Sequence, residues 1–360
     1  MVLVTGASRS GTSTIAGVLN HLGLDVPQPV LAPNESNPHG FFESRWPIRF
    51  HNRLIRRALI TVTDARPEAF EMMAAAVTDE NRASFGRWIS RLFDETSQVV
   101  VKDPRSVWLP QMWEQAAEGV GVRLGFLTMV RHPAEVVGSR STYYGGAQSG
   151  TDAWMFRVRS LCSWVNANLG VERQTRGRTR AVVRYADLIS DWRSVLPPLA
   201  DVYGLTLAGP DGDAATRVDA FIDPALRRHR PTWDDMDMPA ELVELAEGVW
   251  ACMCTLADAG GHEDKAQAQM DELADRYARY MVTAQAVARD TTVAAARAAQ
   301  SLTQAEVRAE MRAKLRRARR VARQARADAD RATNTLGNRI ERAVRAKVPG
   351  PVKRALRRLR

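Results

Sequence analysis

The chain has 360 residues and a formal net charge of +10, room for one large domain and an appendage. The charge is unevenly spread: 262–360 carries 24 Lys/Arg against 11 Asp/Glu, leaving 27 against 30 for 1–261. A chain-wide nucleic-acid binder is thereby excluded, and no stretch approaches the ~18–20 apolar residues of a membrane span.

In chain order, MVLVT at 1–5 predicts a short buried strand. Gly6 and Gly11 then give a Gly-x-x-x-x-Gly loop, and 12–23 (TSTIAGVLNHLG) predicts an apolar-faced helix stopped at Gly23. Strand, glycine loop and helix N-terminus together form an anion site, because successive backbone N–H groups and the helix dipole favour negative charge there. In a nucleoside-triphosphate P-loop, Lys and Ser/Thr follow the second glycine and serve the β- and γ-phosphates and Mg²⁺. Here Thr12 and Ser13 stand there, and Arg9 is the loop's cation.

The segment 24–97 is a long insertion, Pro-rich over 27–38, expected to shape a substrate pocket. A second strand is predicted at 98–102, followed by K-D-P-R at 102–105, and a third at 122–130, followed by R-H-P at 131–133. Pro133 suits the first turn of a helix, which places Arg131 at a strand's C-terminal end, where open α/β sheets bind ligands. A fourth strand is expected at 180–185. Strands alternating with helical stretches predict an α/β fold, a P-loop-type parallel sheet with helices on both faces over 1–261. Trp46, Trp108, Trp154 and Trp233 are candidates either for stacking on a ligand or for plain core. Cys162, Cys252 and Cys254 have neither disulfide nor metal spacing. With a first strand starting at residue 1 or 2, no leader is expected, and a cytoplasmic place is.

S-R-S-G-T-S at 8–13 resembles the 5′-phosphosulfate loop of the sulfotransferases that use PAPS (3′-phosphoadenosine 5′-phosphosulfate). The strand, then Arg131, then Ser139 eight residues on, resembles that family's 3′-phosphate motif. N-P-H-G-F-F-E at 37–43, V-V-V-K-D-P-R at 99–105, V-V-R-Y-A-D-L at 182–188 and F-I-D-P-A-L-R-R-H at 221–229 resemble further segments of its bacterial members, so that the resemblance covers roughly 1–235. It implies PAPS as co-substrate, with Arg9 on the sulfuryl group and bridging oxygen, where many members have lysine. Ser10, Gly11, Thr12 and Ser13 would surround the 5′-phosphate, Arg131 and Ser139 would hold the 3′-phosphate, and Arg227 and Arg228 would close over the ligand. Arg140 either helps or is a solvated helix charge.

Sulfuryl transfer in line needs a general base for the acceptor hydroxyl and charge stabilisation, and that scheme requires no metal. Glu43, His51 and His39 are the candidate bases. Glu43 is preferred, since it opens an amphipathic segment after a turn, although an acidic residue there could simply complement a helix start. His51, about two helical turns on, could share its face or pack beneath the site. Lys102 could touch the sulfate or the acceptor and Asp103 orient the loop, or K-D-P-R could be a salt-bridged corner. The expected acceptor is a hydroxyl of a glycan, glycolipid or lipid-like molecule. The rival readings are a Mg-ATP kinase or NTPase, with Asp103 ending a metal-binding strand, and a non-catalytic P-loop scaffold that binds partners through its tail.

The tail, 262–360, is rich in Ala, Arg, Gln and Glu, with no proline over 263–346 and Gly337 as an interior breaker, so a long basic helical extension is predicted. Met270, Leu273, Tyr277, Tyr280, Ala284 and Val287 form a short heptad-like stripe. Val352, Leu356 and Leu359 would share a face opposite arginines, as on an amphipathic helix for anionic lipid at the inner membrane face. Coiled-coil self-association, a solvated arm and RNA binding are the alternatives.

Overall fold

The computed structural model describes residues 1–34, 37–94, 96–146, 148–222 and 232–347. They divide into two compact units, Met1–Thr283 and Ala284–Arg360. The first is built on four parallel strands, β1 (Val2–Thr5), β2 (Val100–Lys102), β3 (Gly125–Val130) and β4 (Arg180–Arg184), in the spatial order β2-β1-β3-β4. The register sets Val4 beside Lys102, Thr5 beside Thr128 and Val130 beside Arg184. β3 starts at Gly125 rather than 122, and Val2 of β1 pairs with that glycine.

The helices follow as α1 (Thr12–His21), α2 (Arg45–Arg57), α3 (Ala69–Ala76), α4 (Asp79–Leu92), α5 (Pro110–Glu118), α6 (Pro133–Tyr144) and α7 (Gly150–Thr175). After β4 come α8 (Tyr185–Ser190), α9 (Trp192–Tyr203), α10 (Asp213–Phe221), α11 (Ala240–Asp258) and α12 (Asp264–Lys347), and a 3₁₀ turn spans Pro104–Trp108. Their ends follow local chemistry. Thr78 and Asn81 form a reciprocal capping box on α4, Asp191 accepts from the amides of Arg193 and Ser194 on α9, and Pro133 takes the first position of α6.

Because strand side chains alternate, the sheet feeds two cores. Leu3, Val101, Phe126 and Val182 point to one, Val2, Val4, Val100, Leu127 and Val183 to the other. Both faces are covered, as a parallel sheet requires. The first core is the larger and holds an aromatic cluster in which Trp46 stacks on Trp88 and Phe85 meets Trp113 edge-on. Trp46 and Trp108 thus belong to packing, and the Trp108 indole donates to the Val62 carbonyl.

The heptad-like stripe at the start of the tail is part of this first core. Met270, Leu273 and Tyr277 are buried in it, and the Tyr277 hydroxyl donates to the carbonyls of Ala65 (2.6 Å) and Cys162 (2.9 Å). The boundary expected at 261/262 falls in a glycine turn, while the compact unit runs on to Thr283. The helix passes through Gly337 to Lys347. Residues 348–360, with the expected lipid face at Val352, Leu356 and Leu359, lie outside the described residues. Among the described residues no helix is long and apolar enough to cross a membrane.

Candidate functional site

The cleft lies at the C-terminal ends of the four strands, about the gap between β1 and β3, whose onward connections run to opposite sides, to β2 and to β4. Each strand delivers one part of its lining: β1 the loop 6–11, β2 Lys102, β3 Arg131 and β4 Tyr185. Asn37, His39, Phe41 and Glu43 from the insertion and Tyr143 and Tyr144 from α6 complete it.

The loop can be built only with glycines at its two ends. Gly6 (φ +128) brings its α-carbon so close to β3 that a Cβ would sit 2.4 Å from the Met129 carbonyl oxygen. At Gly11 (φ +89) a Cβ would lie 2.2 Å from the Tyr185 ring. Between them Arg9 itself is left-handed (φ 72), which costs an L-residue about 1–2 kcal/mol. No side chain caps α1 and its first turn holds no acidic residue, so the amides of that turn face the cleft without a competing anion.

Arg9 is aimed at α6. Its Nε donates to Ser139 Oγ at 3.0 Å and its guanidinium lies 4.1 Å from the centroid of Tyr143. Ser139 and Tyr143 are one helical turn apart and so present a hydroxyl and a ring to the same arginine. Arg131 reaches the same place from β3: its Nη1 lies 3.5 Å from the Arg9 carbonyl oxygen, its Nε donates to Glu135 at 2.7 Å, and it stacks over Tyr185. The two sequence motifs, about 120 residues apart, are thereby brought to one cleft. Thr12 and Ser13 line it as well, and Ser13 Oγ accepts from Asn37 Nδ2 (3.2 Å), which fastens the 37–40 turn to the loop.

Ser10 behaves otherwise. It is fully buried, its amide donates to the Ala7 carbonyl, and its hydroxyl has no partner among the described residues and does not line the cleft. Arg140 also turns away, donating to the Ser160 carbonyl between α6 and α7, where burial lowers its guanidinium to about 10. Arg227 and Arg228 lie outside the described residues.

The candidate bases are separated by the structure. Glu43 lines the cleft, with Lys102 Nζ at 2.6 Å and Arg105 Nη1 at 3.4 Å. His39 lines it too, its ring edge-on to Phe221. His51 does not. Its position on α2 turns it into the core against Phe85 and Trp113, with no exposed surface. Its Nδ1 donates to Asp103 Oδ2 at 2.7 Å, and its Nε2 faces apolar packing with no partner among the described residues. Asp103 also accepts from the Arg105 amide (2.9 Å) and Nη1 (2.8 Å) through Oδ1. Burial pushes this carboxyl up, but the His51 and Arg105 charges and hydrogen bonds outweigh it and hold Asp103 at about 2.

No protein-family model matches the chain, and no curated protein does. Among solved structures, it is similar to a sulfotransferase domain from the Synechococcus PCC 7002 olefin synthase, at 17% identity over 73% of this chain and 94% of that one, with a TM-score of 0.40. It is also similar to a sulfotransferase domain from the curacin biosynthetic pathway, at 15% identity over 71% and 97%, with a TM-score of 0.39.

Sequence reasoning missed the three tyrosines. Tyr143 was findable, since it stands four residues after Ser139 on a helix already placed. Tyr185 lies in V-V-R-Y-A-D-L, directly after the fourth strand. Its packing against Gly11 depends on β4 lying two strands from β1, which no local pattern encodes.

Proposed function

We propose that the chain is a sulfotransferase that takes PAPS as donor and a hydroxyl-bearing glycan, glycolipid or lipid-like molecule as acceptor. The observation that carries this reading is the Arg9–Ser139 contact. It joins an anion-binding loop to a second cationic motif in one cleft, as a ligand with phosphates at both ends of its ribose needs. The residues fit such a ligand: an uncapped helix start and loop for one anion, Arg131 for the other, and ring faces of Tyr143 and Tyr185 between, while Ser139 is buried outside the lining and positions the Arg9 guanidinium.

Bound PAPS supplies an activated sulfuryl group whose leaving group is the 5′-phosphate. Arg9 balances charge at the loop. Lys102, at the end of the neighbouring strand, provides the ammonium that the loop lacks. Glu43 is the only carboxylate among the described residues lining the cleft, and it takes the proton of the acceptor hydroxyl. An anionic donor competes with Glu43 for Lys102, so donor binding loosens the ion pair that restrains the base. Asp103, both of whose oxygens are engaged by His51 and Arg105, serves as the brace of this corner rather than as a Mg²⁺ ligand, which weakens the kinase reading.

Calorimetric titration with adenosine 3′,5′-bisphosphate and, separately, with Mg·ATP tests the reading, each repeated on Arg131→Ala and Ser139→Ala. Tight bisphosphate binding, weakened in both variants and unmatched by Mg·ATP, is expected. Better binding of Mg·ATP, indifferent to both substitutions, would replace this reading with the kinase.

A further inference from the structure

The second unit presents an apolar stripe that none of the described residues covers. Val307, Met311, Leu315, Val321, Leu336 and Ile340 are each 53–64% exposed on α12. Ala318, Ala322, Ala325 and Ala329 continue the stripe between them. At 100° per residue all ten positions fall within an arc of about 120°.

The period of this stripe distinguishes what can cover it. From Val307 to Ala343 the chain advances 36 residues, ten full turns at 3.6 residues per turn, so Ala343 returns to the angle of Val307 on a straight helix. A two-stranded seam repeats every 3.5 residues and would drift by ~20° per heptad, about 100° over this length. The heptad-spaced positions from Leu315 to Leu336 drift by about 60°, and the four-residue steps on either side of them reverse it, so that the whole stripe keeps within its arc. It stays on one side for about 54 Å at 1.5 Å per residue, as contact with a plane demands and a left-handed supercoil does not.

Charge then identifies the plane. Between Met311 and Ala327 there are eight basic residues and no acidic one. Arg312, Arg316, Arg319, Arg320, Arg323 and Arg326 fall outside the apolar arc, leaving long basic arms beside an apolar face. Lys314 falls within the arc, and its ammonium pairs with Glu310 one turn back (2.8 Å). A long stem of this kind can lie along an apolar surface with its charge at the edge. Over 284–306, by contrast, two arginines meet two acids, so the basic arc belongs to the same stretch as the continuous stripe.

We propose that 307–343 docks the protein in the plane of an anionic lipid bilayer, its apolar stripe at the acyl boundary and its arginines among acidic headgroups. The proposal rests on the second unit alone and is independent of the donor nucleotide.

The test is sedimentation of the full chain with phosphatidylcholine vesicles, with and without about one-third phosphatidylglycerol, at low and high salt. Two variants accompany it: Met311→Glu with Leu315→Glu, and Arg316, Arg317, Arg319 and Arg320 all replaced by glutamine. Circular dichroism confirms that each remains helical. The full chain is expected to bind the anionic vesicles at least tenfold better than neutral ones, and less at high salt. The apolar-face variant should lose most of this binding, and the glutamine variant should lose on the order of 1000-fold. Equal binding to neutral vesicles, or binding unchanged in either variant, overturns the proposal. So does a dimer that Met311→Glu with Leu315→Glu converts to monomer while no vesicle binding is seen, and so does binding to duplex RNA without vesicle binding.

Discussion

Lys102 and Asp103 are consecutive, yet they serve opposite sides of one strand end. Lys102 faces the cleft and holds Glu43, while Asp103 faces the core and holds His51 and Arg105. Arg105 spans the two clusters, reaching Glu43 at 3.4 Å and Asp103 at 2.8 Å. The residue types are nearly the same in both places. What separates them is access: the first cluster can exchange partners with a ligand, whereas the second is sealed beneath aromatic rings. A charged pair in a motif is therefore chemical or structural according to which face of the strand it leaves by.

The largest effect expected from the open cluster is on turnover. Glu43→Gln should lower kcat for sulfuryl transfer by ~10²–10⁴, with bisphosphate affinity within a few-fold of wild type. A kcat that survives would remove Glu43 from the chemistry and turn attention to His39. In the sealed cluster, Asp103→Asn removes the carboxylate that holds His51 and the nearer of the two that hold Arg105, and should cost about 3–5 kcal/mol in urea unfolding. Loss of bisphosphate binding by the folded variant, with no loss of stability, would erase the distinction drawn between the clusters.

The pH dependence sharpens it further. Asp103 sits at about 2, below its ordinary 3.8. The folded carboxyl holds its proton less tightly than the unfolded one, so its contribution is fully present above about pH 4. It is lost as the pH falls from about 4 towards 2, by roughly 2–3 kcal/mol in all. Acid unfolding of Asp103→Asn should lack that component. The smallest effect is expected at Tyr143→Leu, which removes the ring beneath Arg9. A cation–π contact of about 0.5–2 kcal/mol predicts several-fold weaker bisphosphate binding, read by calorimetry, with kcat nearly unchanged.

Much of this was legible because it is local. Apolar runs located the four strands, glycine spacing located the loop, and Pro133 located the start of α6 with Arg131 just ahead of it. The ends were less legible, because they depend on neighbours: the third strand begins only where β1 offers Val2 as a partner. Spacing put His51 and Glu43 about two helical turns apart, as if on one face. But Glu43 precedes α2, so helical periodicity does not govern it, and the aromatic cluster draws His51 inward. Ser10 reads from the loop pattern as a ligand contact, yet backbone geometry turns its hydroxyl into the core. The stripe from Met270 to Tyr277 had the spacing of a partner-seeking helix, and its partner is the body of the same unit.

That last contact bears on how the protein could be taken apart or recombined. The Tyr277 hydroxyl joins carbonyls 212 and 115 residues away in sequence, so the opening turns of α12 are an internal girder of the first unit. A breakpoint at the Gly260–Gly261 turn, where the charge balance of the sequence changes, would detach that girder and expose the core around it. A breakpoint after Thr283 would leave it whole, and only the remainder of the helix is free to be exchanged as a module.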